Sequence, residues 1–419
     1  MEASGGILLL TCTLVALAWA NSPWRDVYTS LLHTPLSITL GDFNISHELH
    51  FWVNDALMAV FFFLVGLEIK RELIAGELAT PRKAALPITA ALGGVLAPAL
   101  IFTALNRGGP GAGGWGIPMA TDIAFAIGVM ALLGKRIPFG LKVFLTALAI
   151  ADDIAAVLVI AVFYTSEIVW GAFGLAIVCA LAALLANRSG IRHPLPYLLI
   201  GVAAWLTVLQ SGVHATVAGI VLAFMIPSRT VINHRDFLRH SRWMLESFEK
   251  SSKEEAADGL NSWRQQTALQ SVEDACEKVQ PPLQRLERQL HPWVMFGIMP
   301  LFALANAGVS LPSDFTDVTS QPIILGVAFG LVLGKPIGIM LASWLVVRLG
   351  FASLPEQVSW KQIHGAAWLA GIGFTMSIFI AGLAFTGDAQ LAEAKIGVLL
   401  ASICAALVGS AILLQKPAA

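Results

Sequence analysis

The chain has 419 residues, of which 57% are hydrophobic and 13% charged, and its mean hydropathy is +0.75. A soluble chain carries charge on roughly a quarter of its residues, so this much apolar side chain cannot be hidden in one water-soluble core, and an all-α polytopic membrane protein is implied. The formal net charge of -1 leaves no basic surplus for nucleic acid and no acidic tail.

In chain order, the first apolar run, Gly5 to Ala20, ends in Ala18-Trp19-Ala20, which has the look of a signal-peptidase site. Glu2 is the only charge ahead of it, so the basic n-region of a signal peptide is missing and the run reads as a first membrane helix. Residues 36–46 then alternate in polarity around Gly41-Asp42, which predicts a β-hairpin on the periplasmic side. Its exposed edge offers a pairing surface to a second copy, which would make a homodimer, and an ordinary ordered loop is the other reading of the same residues.

Breaking the remainder at Pro, Gly and charge clusters completes a set of about twelve spans. They lie near 5–21, 50–70, 84–105, 117–134, 140–164, 168–187, 195–210, 213–227, 293–310, 322–348, 362–386 and 391–414. Spans one to eight fill 1–227 and spans nine to twelve fill 290–419. Between them, 228–289 is charged, with ten basic and ten acidic residues and few Gly or Pro, and predicts one or two solvated helices ending near Pro281-Pro282. With alternating sides, 22 of the 26 Lys and Arg fall on one side, so the positive-inside rule makes both termini and the charged segment cytoplasmic. The four cysteines are widely spaced and form no metal or disulfide framework.

Ionisable side chains inside spans cost about 2.5–3.5 kcal/mol each at a helix centre on insertion scales, so those present need a reason. Asp122 lies in Pro118-Met-Ala-Thr121-Asp122, Asp152 and Asp153 are adjacent at the middle of the fifth span, and Lys335 sits in Gly334-Lys335-Pro336. Adjacent helical residues point about 100° apart, so Asp152 and Asp153 face different surroundings. One of them pairs with Lys335, which offsets the burial of both charges. The other faces a cavity and is available to a proton or a small cation, with Thr121 and water as further oxygen ligands. A proton and a metal compete for one carboxylate, so exchange follows if the cavity opens alternately to the two sides.

A polar residue in a span also serves simply to hold helices together, but three acids and a lysine exceed that need. An intramembrane aspartyl protease is a second reading of Asp122 and Asp153. The Tyr-Asp and Gly-x-Gly-Asp contexts of that class are absent at both. A sodium-coupled symporter of an organic solute is a third, and it requires groups that recognise the solute. Pro118 in the fourth span and Gly371 and Gly373 in the eleventh mark matched interruptions, each beside a Thr-x-x-x-Phe at Thr121 and Thr375. Such matched breaks point to a transporter binding site.

Asn54-Asp55-Ala-Leu-Met-Ala-Val-Phe, Gly66-Leu-Glu68-Ile-Lys-Arg-Glu72, Ala120-Thr-Asp-Ile-Ala-Phe125, Ala149-Ile-Ala-Asp-Asp153, Ser211-Gly-Val-His214-Ala-Thr216, His291-Pro-Trp293, Leu304-Ala-Asn306-Ala-Gly308, Gly334-Lys-Pro336 and Gly371-Ile-Gly-Phe-Thr-Met-Ser377 occur in order along almost the whole chain. Together they resemble the NhaA family of sodium/proton antiporters. The resemblance implies twelve helices, an inverted-topology repeat relating helices 3–5 to 10–12, and broken fourth and eleventh helices that cross at mid-membrane. It implies a secondary transporter and not an enzyme, exchanging Na+ or Li+ for H+ electrogenically in the inner membrane, regulated by pH, with no cofactor beyond the transported ions. It implies further that Asp153 is the principal carrier, that Asp152 is its partner and pairs with Lys335, and that Asp153, Asp152 and Thr121 hold the transported Na+. Asp122 would offset facing helix N-termini at the crossing, and Glu68, His214 and Glu287 match positions tied to the pH response. The charged segment after Ser228 is longer than the connection the family has there.

Overall fold

The structure is a computed structural model that describes residues 2–41, 43–165, 167–230, 234–254, 263–310 and 321–415. Asp42 of the predicted hairpin turn and parts of the charged segment lie outside the described residues.

The chain is a helical membrane protein. It opens with α1 (Glu2–Ala20) and α2 (Arg25–Leu32). A bend of 115° separates them, because Ser22-Pro23 interrupts the backbone ladder and α2 turns away from the line of α1. Tyr28 Oη on α2 donates to the Leu304 carbonyl at 2.7 Å, and Asn21 Nδ2 donates to the Val309 carbonyl at 2.8 Å. The hairpin follows as β1 (Pro35–Leu40) and β2 (Phe43–Glu48), antiparallel with Ile38 opposite Ile45. Gly41 takes a φ of 60° in its turn, a region open to glycine at no steric cost.

Seven helices are long and apolar enough to cross a membrane, or up to nine among the described residues if each bent pair is one span. They are α3 (Leu49–Ala75), α4 (Pro81–Leu105), Ala112–Leu132 ending in α5 (Ile123–Leu132), α6 (Phe139–Phe163), α7 (Trp170–Arg188), α14 (Pro322–Arg348) and α17 (Asp388–Leu414). The second bent pair, α15 (Trp360–Ala370) with α16 (Phe374–Ala384), turns by 43°. The other three of the twelve expected ranges fall on less simple elements. The helices α8 (Pro194–Gln210) and α9 (Thr216–Met225) are too short alone for a hydrocarbon core of about 30 Å. The range 293–310 is the far half of a helix that starts at Pro282, running through α12 (Pro282–Trp293), a π-helical turn at Val294–Ile298 and α13 (Met299–Asn306).

The charged segment contains α10 (His234–Glu254) and α11 (Trp263–Val279), which pack on each other. The chain then breaks at Pro281-Pro282, where α12 (Pro282–Trp293) begins. From Leu283 onward α12 packs against α3.

Two triads position the centre. In each, an interrupted helix lies between two long ones: α4, α5 and α6 in the first, α14, α15 with α16, and α17 in the second. The triads meet where α4 packs along α14. A Cβ added to Gly93 would come within 2.2 Å of the Gly338 carbonyl oxygen, and one on Gly338 within 2.0 Å of the Gly93 oxygen. Only glycine lets the two backbones approach so closely, as small residues do throughout membrane bundles. This contact lies one turn from Lys335 and sets where its side chain enters the core.

Candidate functional site

The interruption in the first triad follows from Gly111-Ala-Gly-Gly-Trp-Gly-Ile-Pro118. Glycine lowers α-helical preference and Pro118 removes a donor, so Ala112–Met119 winds as a tighter 3-10 helix. Ala120 is then extended and Asp122 is the N-cap of α5. In the second triad Gly371 and Gly373 flank the break, and a Cβ on Gly371 would meet the Leu331 carbonyl oxygen at 2.7 Å.

Helix ends buried in a membrane need partners for their free backbone groups, and here each break supplies them to the other. Asp122 N donates to the Ile372 carbonyl at 2.7 Å and Thr121 Oγ1 to the Ala370 carbonyl at 2.9 Å, closing the end of α15. Ser377 Oγ donates to the Ile117 carbonyl at 2.8 Å and Lys335 Nζ to the Met119 carbonyl, closing the 3-10 stretch. The Asp122 carboxylate accepts from Phe125 N at 2.9 Å, from Thr375 N at 3.1 Å and from the Thr375 hydroxyl. One carboxylate therefore caps α5 in its own chain segment and α16 from across the crossing. Its negative charge sits at two helix N-termini, and the positive charge of Lys335 sits at a helix C-terminal carbonyl, each the favourable end.

Asp152 and Asp153 are both buried in the middle of α6, yet their surroundings differ. Asp152 Oδ2 lies 3.0 Å from Lys335 Nζ and accepts from Thr121 Oγ1 at 2.6 Å, all with side chains closed off from solvent. Asp153 faces a cavity of about 260 Å³ that Thr121 and Asp122 also line. Neither Asp152 nor Lys335 reaches that cavity. Its volume has room for several water molecules. Both Asp122 oxygens are engaged in capping, whereas Asp152 Oδ1 and Asp153 Oδ1 are each buried with no hydrogen-bond partner, so what separates these two is Lys335 on one side and the cavity on the other. Among the described residues no three His, Cys, Asp or Glu converge as a metal-holding group. The oxygens open to a hard cation are those of Asp153 and the Thr121 hydroxyl.

The remaining predicted residues separate. Glu68 and Glu287 line the same cavity with Arg71 and His291. Arg71 bonds Glu287 and, at 3.0 Å, Glu72. Burial raises the Glu287 carboxyl above its ordinary value, and the Arg71 guanidinium opposes that shift. His214 is not at the cavity. It lies in the turn between α8 and α9, and its Nε2 donates to the Tyr164 carbonyl at 2.6 Å.

The Thr-x-x-x-Phe match proves positionally inequivalent. Thr121 lies in the extended break and Thr375 inside the first turn of α16. Phe125 packs against Phe374, with centroids 5.6 Å apart, while Phe379 packs against Phe62 and Phe302. Sequence reasoning also missed Arg71, counted only as an orienting charge, and the capping role of Thr375 and Ser377. Their signals were available: Arg71 is one helical turn from Glu68, and both hydroxyl residues follow the Gly371-Ile-Gly373 break within one turn.

The family model for Na+/H+ antiporter 1 matches residues 1–413. The Na(+)/H(+) antiporter NhaA of Koribacter versatilis is 50% identical over 100% of this chain and 90% of its own length. The Na(+)/H(+) antiporter NhaA 2 of Sorangium cellulosum is 50% identical over 100% of this chain and 89% of its own length. The Na(+)/H(+) antiporter NhaA of Oleidesulfovibrio alaskensis is 49% identical over 98% of this chain and 91% of its own length. The chain belongs to the NhaA family of Na+/H+ antiporters and is a multi-pass secondary transporter, not an enzyme.

Proposed function

We propose that the protein exchanges Na+ or Li+ for H+ by alternating access, with cation and proton competing for Asp153. The observation that carries this reading is the asymmetry of the aspartate pair: Asp152 is ion-paired with Lys335 and away from the cavity, while Asp153 lines the cavity and is in no salt bridge among the described residues. A buried carboxylate with no counter-charge is costly unless a proton or cation occupies it. Asp153, Thr121 and, from behind, Asp152 form the cation site, and Asp122 and Lys335 hold the crossing that shapes it. Electrogenic exchange requires that unequal numbers of protons and cations cross in each cycle.

Glu68, His214 and Glu287 set the pH response. Glu68 and Glu287 act at the cavity end bounded by Arg71, and His214 through the end of α6 at Tyr164. The protein resides in the bacterial inner membrane with both termini cytoplasmic, as the placement of 22 of 26 Lys and Arg supports. The hairpin joins two copies: Leu36 and Ile38 on β1 are 47% and 52% exposed, and the outer edge of a two-stranded sheet is open to a further strand. Deleting 36–46 is expected to halve the protein mass measured in detergent.

The transport reading is tested in sealed vesicles carrying a pH-sensitive dye. Sodium-driven proton flux is expected in the wild type and absent in Asp153→Asn. Full flux in that variant would overturn the carrier assignment.

A further inference from the structure

The helix α3 and the helix built from α12 and α13 run antiparallel past the site and touch at both ends. At one end Arg71 meets Glu287, and at the other Asn54 meets Asn306. The 17 residues from Asn54 to Arg71 separate these contacts by about 26 Å along the helix. The cavity fills only the half that includes Arg71, whose side chain is 35% exposed.

Beyond the cavity the route is closed in two layers. Phe62, Phe302 and Phe379 form a buried aromatic cluster, with Phe379 5.5 Å from Phe62 and 6.2 Å from Phe302. Past them lies a reciprocal amide pair. Asn306 Nδ2 donates to Asn54 Oδ1 at 2.6 Å and Asn54 Nδ2 to Asn306 Oδ1 at 3.3 Å. The His50 ring stands against both, its Nε2 3.2 Å from Asn306 Oδ1 and 3.0 Å from Asn54 Nδ2, donating to the first or accepting from the second according to its tautomer.

The backbone there is built to rearrange. Asn54 sits in a π-helical turn at Trp52–Leu57, while the facing helix has its π-helical turn at Val294–Ile298, at least two turns from Asn306 and beside the cavity. Such turns have looser hydrogen bonding than an α-helix and mark sites where a helix changes register. The chemistry suits a door as well. Neutral amide bonds can be exchanged for bonds to water at small net change, so a parted Asn54 and Asn306 would line a wet route.

We infer that the Asn54–Asn306 pair, braced by His50, is the gate that closes the ion route at the end opposite Arg71 and Glu287. It parts when Asp153 is exposed to that side. This rests on the alternating-access reading above.

The test uses the full chain in vesicles, with its four native cysteines replaced and Asn54→Cys and Asn306→Cys introduced. Disulfide formation is expected to cut sodium-driven proton flux at least tenfold, with recovery on reduction. Complete cross-linking at unchanged flux would overturn the gate. Labelling, which needs no transport, is read in parallel on a Met376→Cys reporter that lines the cavity. A membrane-impermeant thiol reagent added from the gate side is expected to react at least tenfold faster once Asn54→Ala and Asn306→Ala are present. An unchanged labelling rate overturns the gate. Flux lost in Asp153→Asn but indifferent to cross-linking removes the gate and leaves the carrier standing. Flux retained in Asp153→Asn removes the carrier, while cross-linking and labelling still decide the gate.

Discussion

The two sides of α6 at Asp152 and Asp153 put the same side chain, one residue apart, into opposite situations. On one side Asp152 has a lysine, a hydroxyl and no open space. On the other, Asp153 has space and no ion-pair partner among the described residues. A paired charge in low dielectric is held in place by its partners, and removing one partner is costly. An unpaired one is costly only until something mobile neutralises it. The first arrangement makes structure and the second makes a site, and variants can separate the two.

The largest difference is expected in transport. Asp153→Asn removes the charge that a sodium ion needs, so flux should fall by at least about a hundredfold, a barrier change of roughly 2.7 kcal/mol, while thermal stability in detergent holds or improves. Equal loss of flux and stability would erase the distinction between the two sides. Asp152→Asn is expected to do the reverse in stability, because it leaves Lys335 buried without its counter-charge. A penalty of about 3–5 kcal/mol is typical for one broken member of such a pair. Exchanging both, Asp152→Leu with Lys335→Met, should recover most of that stability in the same thermal scan.

The Asp122 variants come next. Asp122→Ala strips the caps of α5 and α16 together, at about 0.5–2 kcal/mol per cap, whereas Asp122→Asn keeps one acceptor oxygen and so can hold one of the two caps while losing the other and the charge. Alanine should therefore unfold earlier than asparagine in thermal scans, and both should retain more flux than Asp153→Asn. If asparagine and alanine unfold together, hydrogen bonding by Asp122 is not what holds the crossing.

Much of this centre could be read from residue order. Acids and a lysine inside apolar runs announce themselves by cost, and helical geometry forbids Asp152 and Asp153 a common partner. Which of the two meets Lys335 depends on the register of α14 against α4, and that register is set by Gly93 and Gly338 touching across 245 positions of chain. No local pattern encodes it. Asp122 capping α16 is hidden for the same reason, since its second helix begins 252 residues later. The hairpin was readable because alternation and a Gly turn are local. The bend before α2 had a local sign too, in Ser22-Pro23, but apolar periodicity drew attention to the longer helices.

The smallest expected effect concerns the mouth of the cavity, where Glu287 stands in contrast to Asp153 by having Arg71 as a partner. Burial raises its carboxyl above 4.5 and Arg71 only partly reverses this. The folded state thus holds a proton that the unfolded chain has released, in a window that begins near 4.5 and extends upward. Through that window rising pH favours the unfolded chain, so Glu287 contributes a loss of stability as it deprotonates. Glu287→Gln cannot titrate and should flatten this part of the profile, with a change in Tm of less than about 2 °C because the group is partly screened. The same titration frees a negative charge beside Arg71 at the cavity mouth, so the flux of Glu287→Gln should depend less on pH over the same window. Thermal scans and dye flux taken across one pH series read both, and a flux profile identical to the wild type would confine Glu287 to anchoring α12 against α3.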